Sequence, residues 1–174
     1  MEDDFSGPVS WPKFELVRIA SAPDVPPSVP DALAVEGIPR GLVGYEYRAL
    51  SEAAVIPHDR RILVAFGSCG LRGRLCIDGN SRAVVHVPSV DATAVNAVNV
   101  SLDLFARSVR HVIARFPFYS EDCELAEREQ VAVEIRSTLS ALDQNALAHN
   151  GFWEAFFDDL IVGDYATRET MASD

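Results

Sequence analysis

The stretch Phe66–Val87, FGSCGLRGRLCIDGNSRAVVHV, decides how this chain is read. Its glycines, Gly67, Gly70 and Gly73, and its arginines, Arg72 and Arg74, suit either a phosphate cradle or the corner of a sheet. A P-loop needs G-x4-G-K-[ST], with lysine for the phosphates and a hydroxyl for magnesium. Here the third glycine is followed by Arg74-Leu75, so both functional side chains are missing. A dinucleotide-binding loop must open a helix, whose N-terminal N–H groups face the pyrophosphate. This loop opens a strand, because Leu75 and Ile77 alternate with Arg74, Cys76 and Asp78. The sheet corner is the stronger reading, with the glycines supplying positive φ between strands.

The flanking sequence extends that sheet. Arg60–Gly67 is an apolar run ended by glycine, the pattern of a buried strand. Arg82–Val87 is a third β-rich run, and Asp78-Gly79 before it is a hairpin signal. The centre of the chain therefore reads as a three-stranded antiparallel meander. Upstream, Pro23–Leu33 carries four prolines and reads as an extended surface segment, with Phe14, Leu16, Val17 and Ile19 anchoring a short element before it. Glycines and Pro39 mark a turn in Glu36–Leu50, where Tyr45 and Tyr47 alternate as on a strand.

Helices follow. Leu102, Phe105, Ala106, Val109, Val112, Ile113 and Phe116 share one face at helical period, after an N-cap at Ser101 and before Pro117. A second stripe runs from about Glu121 to Ala148, and a third, Phe152 to Leu160, is ended by Gly163. Strands first and helices last predict an α+β domain, an antiparallel sheet packed with helices. The expected organisation is a Pro-rich segment over 1–34, one domain over 35–167 and a polar tail over 168–174.

The formal charge of −11 argues against nucleic-acid binding, since no Lys/Arg cluster offsets it. It suits solubility or a basic partner. The N-terminus, Met-Glu-Asp-Asp, lacks the basic and apolar regions of a signal peptide, and Ile62–Phe66 is too short to span a bilayer. Three cysteines without metal-ligand spacing suit reduced thiols in a cytoplasmic protein. The histidines His58, His86, His111 and His149 form no zinc-binding pattern. Cys69 is either a nucleophile in a turn or a small buried thiol. Adjacent acids such as Asp158-Asp159 suit solvated helix faces. Trp153, at the edge of the aromatic stripe, is the candidate partner contact.

Five segments occur in a telling order: Glu36-Gly37-Ile38-Pro39-Arg40-Gly41, Leu63–Gly67, Leu75-Cys76-Ile77-Asp78, Val98–Phe105 and Phe152-Trp153-Glu154. Over about residues 35 to 163 the chain resembles the SUKH superfamily of bacterial immunity proteins, and most its fourth subgroup. Two features depart from the family pattern: the long helix before the terminal one, and the arginines in the glycine loop. The resemblance implies a SUKH-like single domain that binds and neutralises a cognate toxin domain, often a nuclease or a nucleic-acid deaminase. It implies no catalytic residues, no cofactor and no metal. A basic toxin would be met at a steered rate by so acidic a protein. On this reading the sheet face and its loops form the contact, through Tyr45, Tyr47, Asp78 and Asp91, with Trp153 beside them. Asn99, Ser101, Gly67 and Gly79 are structural, and the protein is a monomer or a weak homodimer. The competing readings are a small-ligand binder or enzyme built on the Gly67–Gly73 loop with Cys69, His86 or Asp78, and a regulatory scaffold module.

Overall fold

The computed structural model describes residues 12–26, 29, 32–43, 46–58, 61–70, 73–89, 91, 93–148 and 151–167. The chain is an α+β fold built on an open six-stranded sheet. Two short strands come first, β1 (Leu16–Val17) and β2 (Ala20–Ser21), then a π-helical turn, Ala32–Glu36, and β3 (Ile38–Pro39). The main strands are β4 (Arg48–Ile56), β5 (Leu63–Cys69), β6 (Gly73–Asp78), β7 (Val84–Val87) and β8 (Asn96–Asn99). Their order is β2-β4-β5-β6-β7-β8, and β1 pairs with β3 in a separate ribbon. The expected meander is β5-β6-β7, extended by antiparallel neighbours on both sides. Only the β2–β4 edge is parallel, which makes the sheet mixed.

Three helices cover one face: α1 (Leu102–Arg115), α2 (Leu125–Leu142) and α3 (Phe152–Val162). Ser101 is extended, and its Oγ accepts from the Leu104 N–H at 3.2 Å. That satisfies one orphan donor of the first turn, while Asp103 there and Arg115 in the last turn match the helix dipole. Helix α2 is shorter than the expected 121–148. Asp143 leaves helical geometry at φ −149, and its Oδ1 accepts from the Asn145 N–H at 3.0 Å. That local turn stops the helix although Ala146, further along the stripe, is still buried. Helix α3 ends at Gly163, whose φ of 113 is left-handed. There both Gly163 and Asp164 donate backbone N–H groups to the Asp159 carbonyl.

The main core lies between sheet and helices. An aromatic chain runs through it: Tyr47 meets Phe66 and Phe105 edge-on, and Phe105 in turn meets Phe152 and Trp153. The proline segment is not an extended surface strap. Val25, Val29 and Leu33 of this segment are buried in this same core. The Ala22 N–H also donates to the Ala53 carbonyl at 2.9 Å, tying the segment to β4.

The glycine stretch is a sheet corner by a different route from the one expected. Of the glycines Gly67, Gly70 and Gly73, only Gly70 has positive φ, +54. Gly67 lies inside β5, where a Cβ would sit 2.3 Å from Tyr47 Cε2, so the missing side chain is space for a ring. The Asp78-Gly79 turn is not a two-residue hairpin. Asp78 Oδ1 accepts from the N–H groups of Asn80 and Ser81, and Arg82 takes the left-handed position at φ 65. Gly79 approaches the Ile62 backbone, with a Cβ there falling 3.1 Å from the Ile62 carbonyl oxygen.

Gly67→Ala should therefore destabilise the fold by about 1–3 kcal/mol through overpacking against Tyr47. Denaturant melts of the variant measure it, and unchanged stability would show that the ring moves freely.

Candidate functional site

The helix-free face of the sheet was the expected contact surface. Leu63, Ala65, Cys76, Val85 and Val87 form a small buried cluster there. At one end Arg48, Ser68 and Arg74 pair across β4, β5 and β6 as a row. At the other, Arg61 Nη1 lies 3.4 Å from Asp78 Oδ2. The loop after β7 is tied down where His58 Nε2 donates to the Thr93 carbonyl at 3.3 Å. This face is apolar and arginine-edged, not acidic.

The expected contact residues scatter. Tyr47 is fully buried, and its hydroxyl donates to the Pro39 carbonyl at 2.7 Å. Burial pushes its phenol well above the usual tyrosine range. Trp153 is 1% exposed, and its Nε1 donates to Asn99 Oδ1 at 3.2 Å. Asp78 is 5% exposed and spends its carboxylate on its own turn and on Arg61. These three side chains do not reach a partner docked on this conformation, because each is consumed by the fold. Asp91 is exposed, its carboxyl held below the ordinary range by hydrogen bonds from the Thr93 hydroxyl and N–H. Tyr45 lies outside the described residues, as do Arg72 and His149.

Cys69 and His86 do come together. A Cβ on Gly73 would lie 2.9 Å from both Cys69 Sγ and His86 Nε2, so the two side chains crowd one point. Burial pushes the Cys69 thiol up to about 12, and nearby Glu46 adds to this against Arg74. Burial also lowers the basicity of His86. Both groups are thus held in their neutral forms, the opposite of the thiolate–imidazolium pair a cysteine nucleophile uses. Among the described residues, no group of three or more His, Cys, Asp or Glu is placed to hold a metal ion.

Two features were missed in the sequence. The first is a buried polar hub. Asp143 Oδ2 accepts from Asn99 Nδ2 at 3.0 Å and from the Val100 N–H at 2.9 Å, while Asn99 Nδ2 also approaches Ser108 Oγ at 3.4 Å. Nothing local in the sequence links positions 99, 108, 143 and 153. The second is the partition of charge. Eleven Asp and Glu residues but only two arginines lie between Phe116 and Thr167, which is nine of the net negative charges. Both arginines are engaged inward: Arg136 grips Glu154 through two bonds of 2.6 Å, and Arg128 donates to the Val162 carbonyl. A count along the chain reveals this, but the overall charge hides it.

One acidic cluster touches the core. The Tyr165 hydroxyl donates to Glu46 Oε1 at 2.5 Å, and Asp159 and Asp164 lie beside that carboxyl. Burial, with the neighbouring Asp159 and Asp164 carboxylates adding to it, raises Glu46 from 4.5 to about 7.

The described chain is thus an open sheet with three helices on one face and a second small apolar cluster on the other. The SUKH-4 immunity protein family matches residues 17–159, and the chain belongs to that family. Comparison with curated proteins and with solved structures finds no match. No described helix is long and apolar enough to cross a membrane.

Asp143→Ala should cost about 1–3 kcal/mol, because it leaves the buried Asn99 amide without this acceptor and frees the part-buried Val100 and Asn145 N–H groups. Equilibrium unfolding measures it, and a loss below about 1 kcal/mol would mean that water replaces the carboxylate.

Glu46 predicts a pH dependence of opposite sign to that of a salt-bridged carboxylate. Its folded-state value lies above the ordinary one, so the folded chain holds the proton more tightly than the unfolded chain. That stabilisation is complete below 4.5 and is lost as pH rises through about 7. After discounting for the partly exposed carboxyl, the loss is about 1 kcal/mol, or about 2–4 °C in Tm. In Glu46→Gln, which keeps the acceptor for Tyr165, this component of the melting profile should vanish.

Proposed function

We propose that this chain neutralises a cognate toxin domain by binding it, and that the target is a basic enzyme acting on nucleic acid, a nuclease or a deaminase. Membership of an immunity-protein family supports the role. The observation that carries the finer reading is the concentration of nine of the net negative charges between Phe116 and Thr167. Enzymes that grip nucleic acid present basic clefts to the phosphates. An acidic protein surface competes for the same cations, and its field steers encounter before any contact forms. Inhibition is then occlusion, with no bond made or broken, and needs no cofactor. The place of action is the cytoplasm of the producing cell, where the toxin would otherwise meet its substrate. One copy of the chain meets one toxin domain.

The test is co-purification with the C-terminal domain of a toxin encoded beside this gene, followed by affinity measurement across a salt series. A complex that weakens steadily as salt screens the charges, together with loss of toxin activity, is the expected result. Failure to bind, and failure to relieve toxicity on co-expression, would overturn the reading.

A further inference from the structure

The outer face of helices α2 and α3 carries an uncovered apolar pair inside a rim of carboxylates. Helix α2 buries Val131, Ala132, Ile135 and Leu139 against the core, yet Leu125 and Val133 on its other side are 51% and 58% exposed. Val162, the last residue of α3, is the most exposed large apolar side chain among the described residues at 70%. Arg128 joins the two helices here, donating from α2 to the Val162 carbonyl, which brings Leu125, one turn earlier, to the same end of the seam. Glu124, Glu129 and Asp158 are exposed on these helices, and no ion pair engages them among the described residues. The two arginines that would otherwise neutralise this face are turned inward, one onto Glu154 and one onto a backbone carbonyl.

We infer that this α2–α3 face, with Leu125 and Val162 as anchors and Glu124, Glu129 and Asp158 as rim, docks the cationic surface of the toxin domain. The inference rests on the toxin-binding reading above and moves the contact away from the sheet. An apolar centre within a charged rim is the anatomy of a protein interface, where the centre sets residence time and the rim sets the rate of encounter. A cationic partner is the occupant because its charges meet carboxylates that the fold leaves without a counter-ion.

The test uses the full chain and the catalytically inactive toxin domain encoded beside the gene. The variants are Glu124→Lys/Glu129→Lys/Asp158→Lys, Val162→Asp and, as a control on the sheet side, Asp91→Lys. All five positions are exposed, and circular dichroism with a thermal melt checks each fold. The charge-reversed triple variant should slow association at low salt by about 10-fold or more and flatten its salt dependence. Val162→Asp should mainly speed dissociation, again by about 10-fold or more. Asp91→Lys should leave both rates within about twofold. If the wild-type chain binds and the helix variants bind equally well, this surface is wrong and the toxin-binding reading stands. If Asp91→Lys alone weakens binding, the contact lies on the sheet side. If the wild-type chain itself does not bind, both fall together.

Discussion

The arrangement depends on a buried carboxylate that no ion pair engages among the described residues. Asp143 is 5% exposed, and it accepts hydrogen bonds from the Asn99 amide, the Val100 N–H and the Asn145 N–H. A buried charge is tolerated only when its lone pairs are filled, so the geometry of those donors is not free to drift. Asn99 extends the constraint, because its Oδ1 takes the Trp153 indole N–H and its amide reaches Ser108. One hub therefore fixes the end of β8, the first turns of α1, the end of α2 and the start of α3. Through this hub the sheet and the helix layer are joined by polar contacts within a largely apolar core.

Much of the scaffold was legible in the sequence, and the reason is locality. The stripe of α1, its Ser101 cap and the Gly163 stop are encoded within a few residues of where they act, so periodicity and cap chemistry find them. The alternation in β6 was enough to reject a phosphate loop. What failed were statements about distance. Tyr47 reads as a surface strand residue until its ring is seen filling the space left at Gly67, twenty residues away. Trp153 reads as a contact residue until Asn99 claims its N–H. The proline segment reads as a strap because proline removes donors, yet Val25, Val29 and Leu33 between the prolines are core. In each case the local chemistry was right and the partner was remote.

The polar residues of the glycine corner illustrate how one position can satisfy two readings. Cys69 and His86 meet at Gly73, which is what a catalytic pair would require. Geometry alone would keep an enzyme in contention. Electrostatics weighs against that reading: burial acts on both groups in the direction that removes charge, and the adjacent Glu46 reinforces this for the thiol. A nucleophilic cysteine needs the reverse, an environment that stabilises the thiolate.

Charge is distributed against the interest of stability. Carboxylates gathered on one side of a domain repel one another, and the two arginines available in that region, Arg128 and Arg136, are used to tie α2 to α3 rather than to neutralise the outer face. On the other side, Arg48 and Arg74 edge the helix-free face of the sheet. Carboxylates without an ion-pair partner attract an approaching cation over distances of about a Debye length, roughly 8–10 Å in physiological salt. A surface evolved for solubility alone would interleave the two signs, since mixed charge keeps a protein dispersed without self-repulsion. Segregation makes physical sense where one face must meet a cation-rich surface and the opposite face must not. The Asp143 hub ties the end of β8 to the end of α2 and so holds the helix layer against the sheet.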